Sequence, residues 1–122
     1  MRFVVTGGAG FIGSHIADAL ASRGDEVVIL DNLFSGRMEN IRQLLDMPTV
    51  TFLKGSVTDQ EFLQTACKNA DGIFHEAAIT SVPRSVKDPL ASNEAIVTGT
   101  LNVLVAAQKC GVEKIVYASS SS

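Results

Sequence analysis

A chain of 122 residues that is 46% hydrophobic and 19% charged has the make-up of one soluble globular domain and excludes a disordered or fibrous protein. Its net charge of −3 at pH 7 gives no reason to expect nucleic acid or a membrane surface as a partner. Cys67 and Cys110 match no metal-ligand spacing, so they are expected to be reduced thiols of a cytoplasmic protein, and no metal site is predicted.

The chain enters a strand within two residues of Met1, which leaves no room for a signal peptide. No apolar stretch is read as approaching the ~20 residues that span a bilayer. Phe3 to Val5 form a short apolar run that reads as a buried strand ending at Thr6. Gly7, Gly10 and Gly13 follow at intervals of three, and an amphipathic helix then begins. The first glycine lets the chain turn off the strand. The second lets backbone approach a pyrophosphate. The third removes a side chain where helix and strand pack, and the pyrophosphate rests on the free N–H groups of the helix start.

Ile12, Ile16, Ala17 and Leu20 recur at helical spacing, and Gly24 is a stop signal. Val27 to Leu30 read as a second strand buried on both faces, as in a parallel sheet. It ends in Asp31, 18 residues after Gly13, the position of an acid that accepts hydrogen bonds from an adenosine ribose and repels an NADP phosphate. Arg37 reads as a solvated loop residue. Residues 32–36 form a loop. Arg37 to Leu45, with Met38, Ile41, Leu44 and Leu45 apolar, predict a short helix stopped before Pro48.

Val50 to Leu53 predict a third strand. Thr58 or Asp59 caps a helix reaching about Asn69, with Phe62, Leu63 and Ala66 inward. Gly72 to His75 predict a fourth strand, with His75 read as a hydrogen-bonded structural residue at its carboxyl end. Residues 76–88 form a loop punctuated by Pro83. A long helix follows from Pro89 to about Lys109, with Pro89 in its first turn and Gly111 past its end. It is apolar almost all round from Leu101 to Ala107, so a second copy of the chain is expected on its outer face, giving a homodimer through residues 89–109. Lys114 to Ala118 predict a fifth strand, left as an unpaired edge.

Alternating strands and crossover helices predict an α/β fold, a doubly wound five-stranded parallel sheet with helices on both faces. Thr6, Asp31, the Ser56 turn, residues 75–81 and the terminal serines all fall at its carboxyl edge, where ligands bind in such sheets.

Thr-Gly-Gly-Ala-Gly-Phe-Ile-Gly (6–13), Asp31-Asn32-Leu33, His75-Glu76-Ala77-Ala78, Ser81-Val82-Pro83-Arg84-Ser85, Gly99 to Leu104 and Tyr117-Ala118-Ser119-Ser120 together resemble the extended short-chain dehydrogenase/reductases. Among these the chain is most similar to the NAD-dependent sugar-nucleotide epimerases and dehydratases, in particular the UDP-hexose 4-epimerases. The resemblance covers the whole chain and implies a Rossmann-like NAD-binding domain over residues 1–122, incomplete because the sheet is truncated before its later strands, with the substrate domain absent. It implies NAD as cofactor, with Gly7, Gly10, Phe11, Ile12 and Gly13 at the pyrophosphate. Asp31, Asn32, Ser35 and Gly36 then lie at the ribose, Ser56 and Val57 at adenine, and Ala77, Ala78, Ile79 and Thr80 on the nicotinamide side. Ser81 is implied where sugar meets cofactor, and Ser120 as the catalytic serine that hydrogen-bonds the reacting hydroxyl.

In such enzymes a tyrosine, lowered in pKa by a lysine, takes the proton while the C4 hydride goes to NAD; the keto sugar turns over and takes it back on its other face. The chain departs from the family in three places. Ser56 replaces a usual acid, Ile96 replaces a usual asparagine that Asn93 does not restore, and the Tyr-x-x-x-Lys pair lies beyond Ser122. The resemblance therefore implies a truncated chain, inactive alone. Ser121 and Ser122, where dehydratases carry acids, favour a 4-epimerase over a dehydratase. Another nucleotide-sugar-modifying enzyme of the family, such as a dehydratase or reductase, and a non-catalytic NAD-binding or sensor module are the alternatives.

Overall fold

The computed structural model describes residues 1–77 and 86–118. Five strands form one sheet: β1 (Arg2–Thr6), β2 (Glu26–Asp31), β3 (Val50–Lys54), β4 (Gly72–His75) and β5 (Lys114–Tyr117), in the order β3-β2-β1-β4-β5. Every pairing is parallel. The helices are α1 (Phe11–Ser22), α2 (Gln60–Ala66) and α3 (Pro89–Cys110). The fold expected from the alternating pattern is the fold observed.

The apolar runs of β1 and β2 are uninterrupted because these central strands feed two cores. Val5, Val27 and Ile29 lie in one cluster with Ala17, Leu20 and Ala21 of α1. Val4, Val28, Leu30 and Ile73 lie in the other, with Leu63 and Ala66 of α2 and Val103, Ala106 and Ala107 of α3. Adjacent residues of a strand point to opposite faces, so a helix layer on each face demands apolar side chains at both parities. Phe3 and Phe74 meet edge to face, with ring centroids 5.7 Å apart.

Local structure departs from expectation in four places. α1 begins at Phe11, so Gly13 lies in its first turn, and Ile12 is exposed rather than part of the core stripe. The helix expected over residues 37–45 is instead two separate 3₁₀ turns, Met38–Asn40 and Leu44–Asp46. They bury Ile41 and Leu44, three residues apart, beneath α1, a spacing that one 3₁₀ step satisfies as well as an α-helix does. α2 stops at Ala66, capped by Cys67, and Asn69 takes a left-handed φ of 64°. Its start agrees with expectation: the Asp59 carboxylate accepts the Phe62 N–H at 3.1 Å.

The fourth departure concerns α3. Its middle widens into a π-helical turn, Glu94–Thr98, and it closes on Gly111 at φ 72°. By length and composition it is apolar enough to cross a membrane, with a mean hydropathy of 1.3 over 18 residues, contrary to the reading of the bare sequence. Core helices pass the same test, and Val103, Ala106 and Ala107 pack this one against α2 and the sheet. Leu90, Val97, Leu101 and Leu104 remain exposed on it. β5 is an edge strand, with Val116 and Tyr117 more than half exposed.

Candidate functional site

Strand order reverses between β1 and β4, whose last residues, Thr6 and His75, are register partners. A crevice at this switch point is where a doubly wound sheet takes its ligand. Gly7 turns the chain off β1 at φ 66°, a conformation that costs an L-residue but not glycine. A Cβ there would stand 2.8 Å from the Ala77 nitrogen. The loop after β1 therefore presses directly on the backbone leaving β4, and this contact brings Gly7 and Ala77 together.

The backbone donors of the glycine loop divide into spent and free. Gly7 N and Gly8 N both donate to the Leu30 carbonyl, at 2.7 and 3.3 Å. Ala9 N donates to Asp31 Oδ2 at 3.0 Å, and Gly10 N to the Gly7 carbonyl at 3.0 Å. Ser14 N closes on the Gly10 carbonyl. Phe11, Ile12 and Gly13 are left as the N–H groups of α1 without a partner among the described residues. These three, at the positive end of a 12-residue helix, form a cradle suited to an anion. A Cβ on Gly10 would meet only the Gly7 carbonyl, at 3.2 Å, so the approach to the helix start stays open. A Cβ on Gly13 would overlap the Gly7 carbonyl. Its packing partner is thus the turn itself, rather than the body of the strand.

Asp31 is buried. Besides Ala9 N it accepts Leu33 N, through Oδ1 at 2.7 Å. A Cβ on Gly36 would strike the same carboxylate, 2.6 Å from Oδ2. The carboxylate thus ties the glycine loop to the turn after β2, where Asn32 Oδ1 accepts Phe34 N at 3.0 Å and Leu33 takes a φ of 62°. Asn40, which the sequence did not single out, completes this tie. Its side-chain amide donates to the Ala9 carbonyl at 2.8 Å, as does Arg37 N at 3.0 Å. The Arg37 side chain is exposed and forms no ion pair among the described residues.

The Ser56 turn is held beside Asp31, since Gly55 N donates to the Asp31 carbonyl at 3.1 Å. Ser56 Oγ accepts Thr58 N at 3.1 Å and lies 2.7 Å from Thr58 Oγ1, so this hydroxyl is engaged within its own turn. Val57 backs onto α3. Asn102 Nδ2 donates to its carbonyl at 3.1 Å, and a Cβ on Gly99 would stand 2.6 Å from its side chain.

His75 is 5% exposed, with Nδ1 2.6 Å from Thr6 Oγ1 and Nε2 3.0 Å from Thr100 Oγ1. It is the hydrogen-bonded structural residue expected, and burial lowers its pKa. Burial raises that of the adjoining Glu76. Of the predicted site residues, the glycine loop, Asp31 to Gly36, Ser56, Val57 and Ala77 converge on this edge. Ala78, Ile79, Thr80, Ser81 and Ser120 lie outside the described residues.

Residues 3–122 match the model of the NAD dependent epimerase/dehydratase family. The chain belongs to this family. It is 39% identical to the UDP-glucose 4-epimerase of Lacticaseibacillus casei, over all of this chain and 36% of that protein. It is 38% identical to UDP-glucuronic acid decarboxylase 1 of Arabidopsis thaliana, over 98% of this chain and 26% of that one. The crystal structure of Thermus thermophilus UDP-glucose 4-epimerase in complex with NAD superposes with a TM-score of 0.87 at 43% identity, covering 98% of this chain and 38% of that chain. The chain spans roughly a quarter to two fifths of these relatives' lengths and corresponds to their N-terminal region.

Proposed function

We propose that the chain is the NAD-binding portion of a nucleotide-sugar 4-epimerase acting on UDP-hexoses, either UDP-glucose and UDP-galactose or their N-acetyl counterparts. The observation that carries the cofactor reading is the pairing of an open three-donor helix start with a buried, pre-positioned Asp31. An ionised carboxylate offers about four acceptor positions. Two are occupied by Ala9 N and Leu33 N, so each oxygen retains capacity for one ribose hydroxyl. A 2′-phosphate would meet the same negative charge, which favours NAD over NADP.

When bound, NAD supplies a hydride acceptor and donor. The chain's own groups bind and orient. Phe11, Ile12 and Gly13 N–H groups, approached over Gly10, hold pyrophosphate oxygens, and Gly7 sets the turn that aims them. Asp31, with Asn32, Ser35 and Gly36, holds the ribose. Ser56 and Val57 border adenine, and residues 77–80 border nicotinamide. Ser81 touches the sugar, and Ser120 hydrogen-bonds the reacting hydroxyl as the catalytic residue of this portion. The exposed stripe Leu90, Val97, Leu101 and Leu104 of α3 supports a homodimer.

Calorimetric titration of the chain tests the cofactor reading: NAD should bind and NADP should bind at least tenfold more weakly, and equal affinities refute it. The gene product spanning the family's full length tests the reaction, with UDP-glucose and UDP-N-acetylglucosamine as substrates. The likeness to a UDP-glucuronic acid decarboxylase favours one second reading, another nucleotide-sugar-modifying enzyme of the family. Carbon dioxide release from UDP-glucuronic acid, without 4-epimerisation of either sugar, would establish it instead.

A further inference from the structure

The polar atoms where β1 meets β4 are closed into a chain whose proton positions can be deduced. Thr6 Oγ1 receives Ala77 N–H at 3.2 Å. It also receives Glu76 N–H at 3.1 Å, a donor shared with the Thr6 carbonyl at 3.1 Å. A hydroxyl has two lone pairs and one hydrogen. Backbone amides can only donate, so both lone pairs are engaged and the hydroxyl hydrogen must find an acceptor elsewhere. His75 Nδ1, 2.6 Å away, is the acceptor in reach among the described residues. A proton on Nδ1 would crowd a third donor onto two lone pairs and leave the hydroxyl hydrogen unspent, a heavy cost in a buried site. Neutral imidazole with a bare Nδ1 carries its proton on Nε2, which then donates to Thr100 Oγ1 at 3.0 Å.

The peptide held by Thr6 is the one that matters for a ligand. Glu76 and Ala77 are the first residues past β4, and they face Gly7 so closely that a Cβ would come within 2.8 Å of the Ala77 nitrogen. Their placement sets the backbone that faces the glycine loop across the switch point. An imidazole can bridge the two hydroxyls because its acceptor and donor nitrogens lie on opposite sides of a rigid ring. An aliphatic side chain offers neither group.

We infer that Thr6, His75 and Thr100 are positioning residues. They form a one-way hydrogen-bond chain, Thr6 O–H to Nδ1 and Nε2–H to Thr100, that fixes the Glu76–Ala77 backbone against the glycine loop and thereby sets affinity for the dinucleotide. The last clause rests on the NAD reading above; the proton arrangement does not. Long-range proton–nitrogen NMR of the cofactor-free chain at neutral pH should show Nε2 protonated and Nδ1 bare. Hydrogen exchange should find the Glu76 and Ala77 amides protected.

Thr6→Val removes the hydroxyl at nearly constant shape. It should speed exchange of both amides at least tenfold and weaken NAD binding about tenfold, whereas Thr6→Ser should restore both. A proton on Nδ1 in the wild type, or unchanged exchange in Thr6→Val, overturns the chain. Lost protection with undiminished NAD affinity overturns the positioning role. Wild-type protein that binds no NAD, yet shows the tautomer and the protection, overturns the cofactor reading and with it the affinity clause, leaving the proton arrangement standing. If Thr6→Val does not fold, the wild-type tautomer and Thr6→Ser still decide: a serine variant with unprotected amides refutes the arrangement.

Discussion

Asp31→Ala separates two roles that the carboxylate holds at once. In the cofactor-free chain it would strand Ala9 N and Leu33 N, whose acceptors are Oδ2 and Oδ1 at 3.0 and 2.7 Å. Ala9 is fully buried, so its N–H bears the full penalty of about 1–3 kcal/mol for a lost buried partner. Leu33 is only half-buried, and water recovers part of that loss. The expected destabilisation is about 2–4 kcal/mol, a large share of the ~5–15 kcal/mol that holds an ordinary domain together. Loss of charge-assisted bonds to ribose should add a binding penalty of about 1–3 kcal/mol, roughly 5- to 150-fold in Kd. Asp31→Asn keeps one acceptor oxygen, can serve only one of the two N–H groups, and should fall between wild type and alanine. Urea unfolding without cofactor reads the first effect. Calorimetric titration with NAD, at a temperature where each variant is folded, reads the second. An alanine variant whose cofactor-free stability stays within about 0.5 kcal/mol of wild type, the range of an inconsequential surface change, would refute the claim that Asp31 ties the two loops.

Gly7→Ala and Gly111→Ala form a matched pair, with φ of 66° and 72°. A Cβ at Gly111 meets open space, whereas at Gly7 it meets the Glu76–Ala77 backbone. Both should lose about 1–2 kcal/mol for the left-handed conformation. Gly7→Ala should lose more in thermal melts and also bind NAD more weakly; equal losses would show that the Gly7–Ala77 contact yields freely. If the α3 stripe is a dimer seam, the wild-type chain sediments as a dimer at micromolar concentration and Leu101→Glu with Leu104→Glu sediments as a monomer. A monomeric wild type refutes the seam. Desolvation in the fully buried Cys67 site, and secondarily the neighbouring Cys110, push the Cys67 thiol from 9.0 up to about 12. Its folded pKa is above the unfolded one, so the thiol is neutral in both states at pH 7. Stability is lost as pH rises from 9 towards 12, because the unfolded chain releases that proton first. The slope is up to about 1.4 kcal/mol per pH unit. Urea titrations at pH 8 and 10 should show the loss in wild type and not in Cys67→Ala.

The inner strands β1, β2 and β4 were legible because burial on both faces writes itself as an unbroken apolar run. Gly72-Ile73-Phe74-His75 is β4 residue for residue. Residues 37–45 were not legible as 3₁₀ turns. Their apolar spacing suits either helix type, and what decides between them is distant: Arg37 N and the Asn40 amide are claimed by the Ala9 carbonyl, while Met47 is held extended before Pro48. Ile12 looked like core by its period, but α1 starts two residues before Gly13, and Phe11 and Ile12 at its start are exposed. The hydroxyl–imidazole chain could not be read at all. Thr6 and His75 are 69 residues apart in sequence and meet because β1 and β4 pair in one register; a slip of a single residue would turn them to opposite faces.

The glycine loop shows most clearly what pairing adds to a motif. As a string, Gly7 to Gly13 offers a set of backbone donors of equal standing. In the fold, β2 removes the first of them: the Leu30 carbonyl takes Gly7 N and Gly8 N, and the Asp31 carboxylate takes Ala9 N. The turn removes Gly10 N. The anion cradle is therefore confined to Phe11, Ile12 and Gly13, and its position is set by the end of β2 as much as by the glycines. The residue that holds the ribose in the proposed complex is the residue that fixes where the phosphates can sit. Loss of Asp31 should then weaken even a ligand lacking ribose: inorganic pyrophosphate should bind less tightly to Asp31→Asn than to wild type, although the substitution removes a negative charge and by Coulomb's law alone would tighten it. Tighter pyrophosphate binding by Asp31→Asn would show that the cradle stands without its β2 anchor.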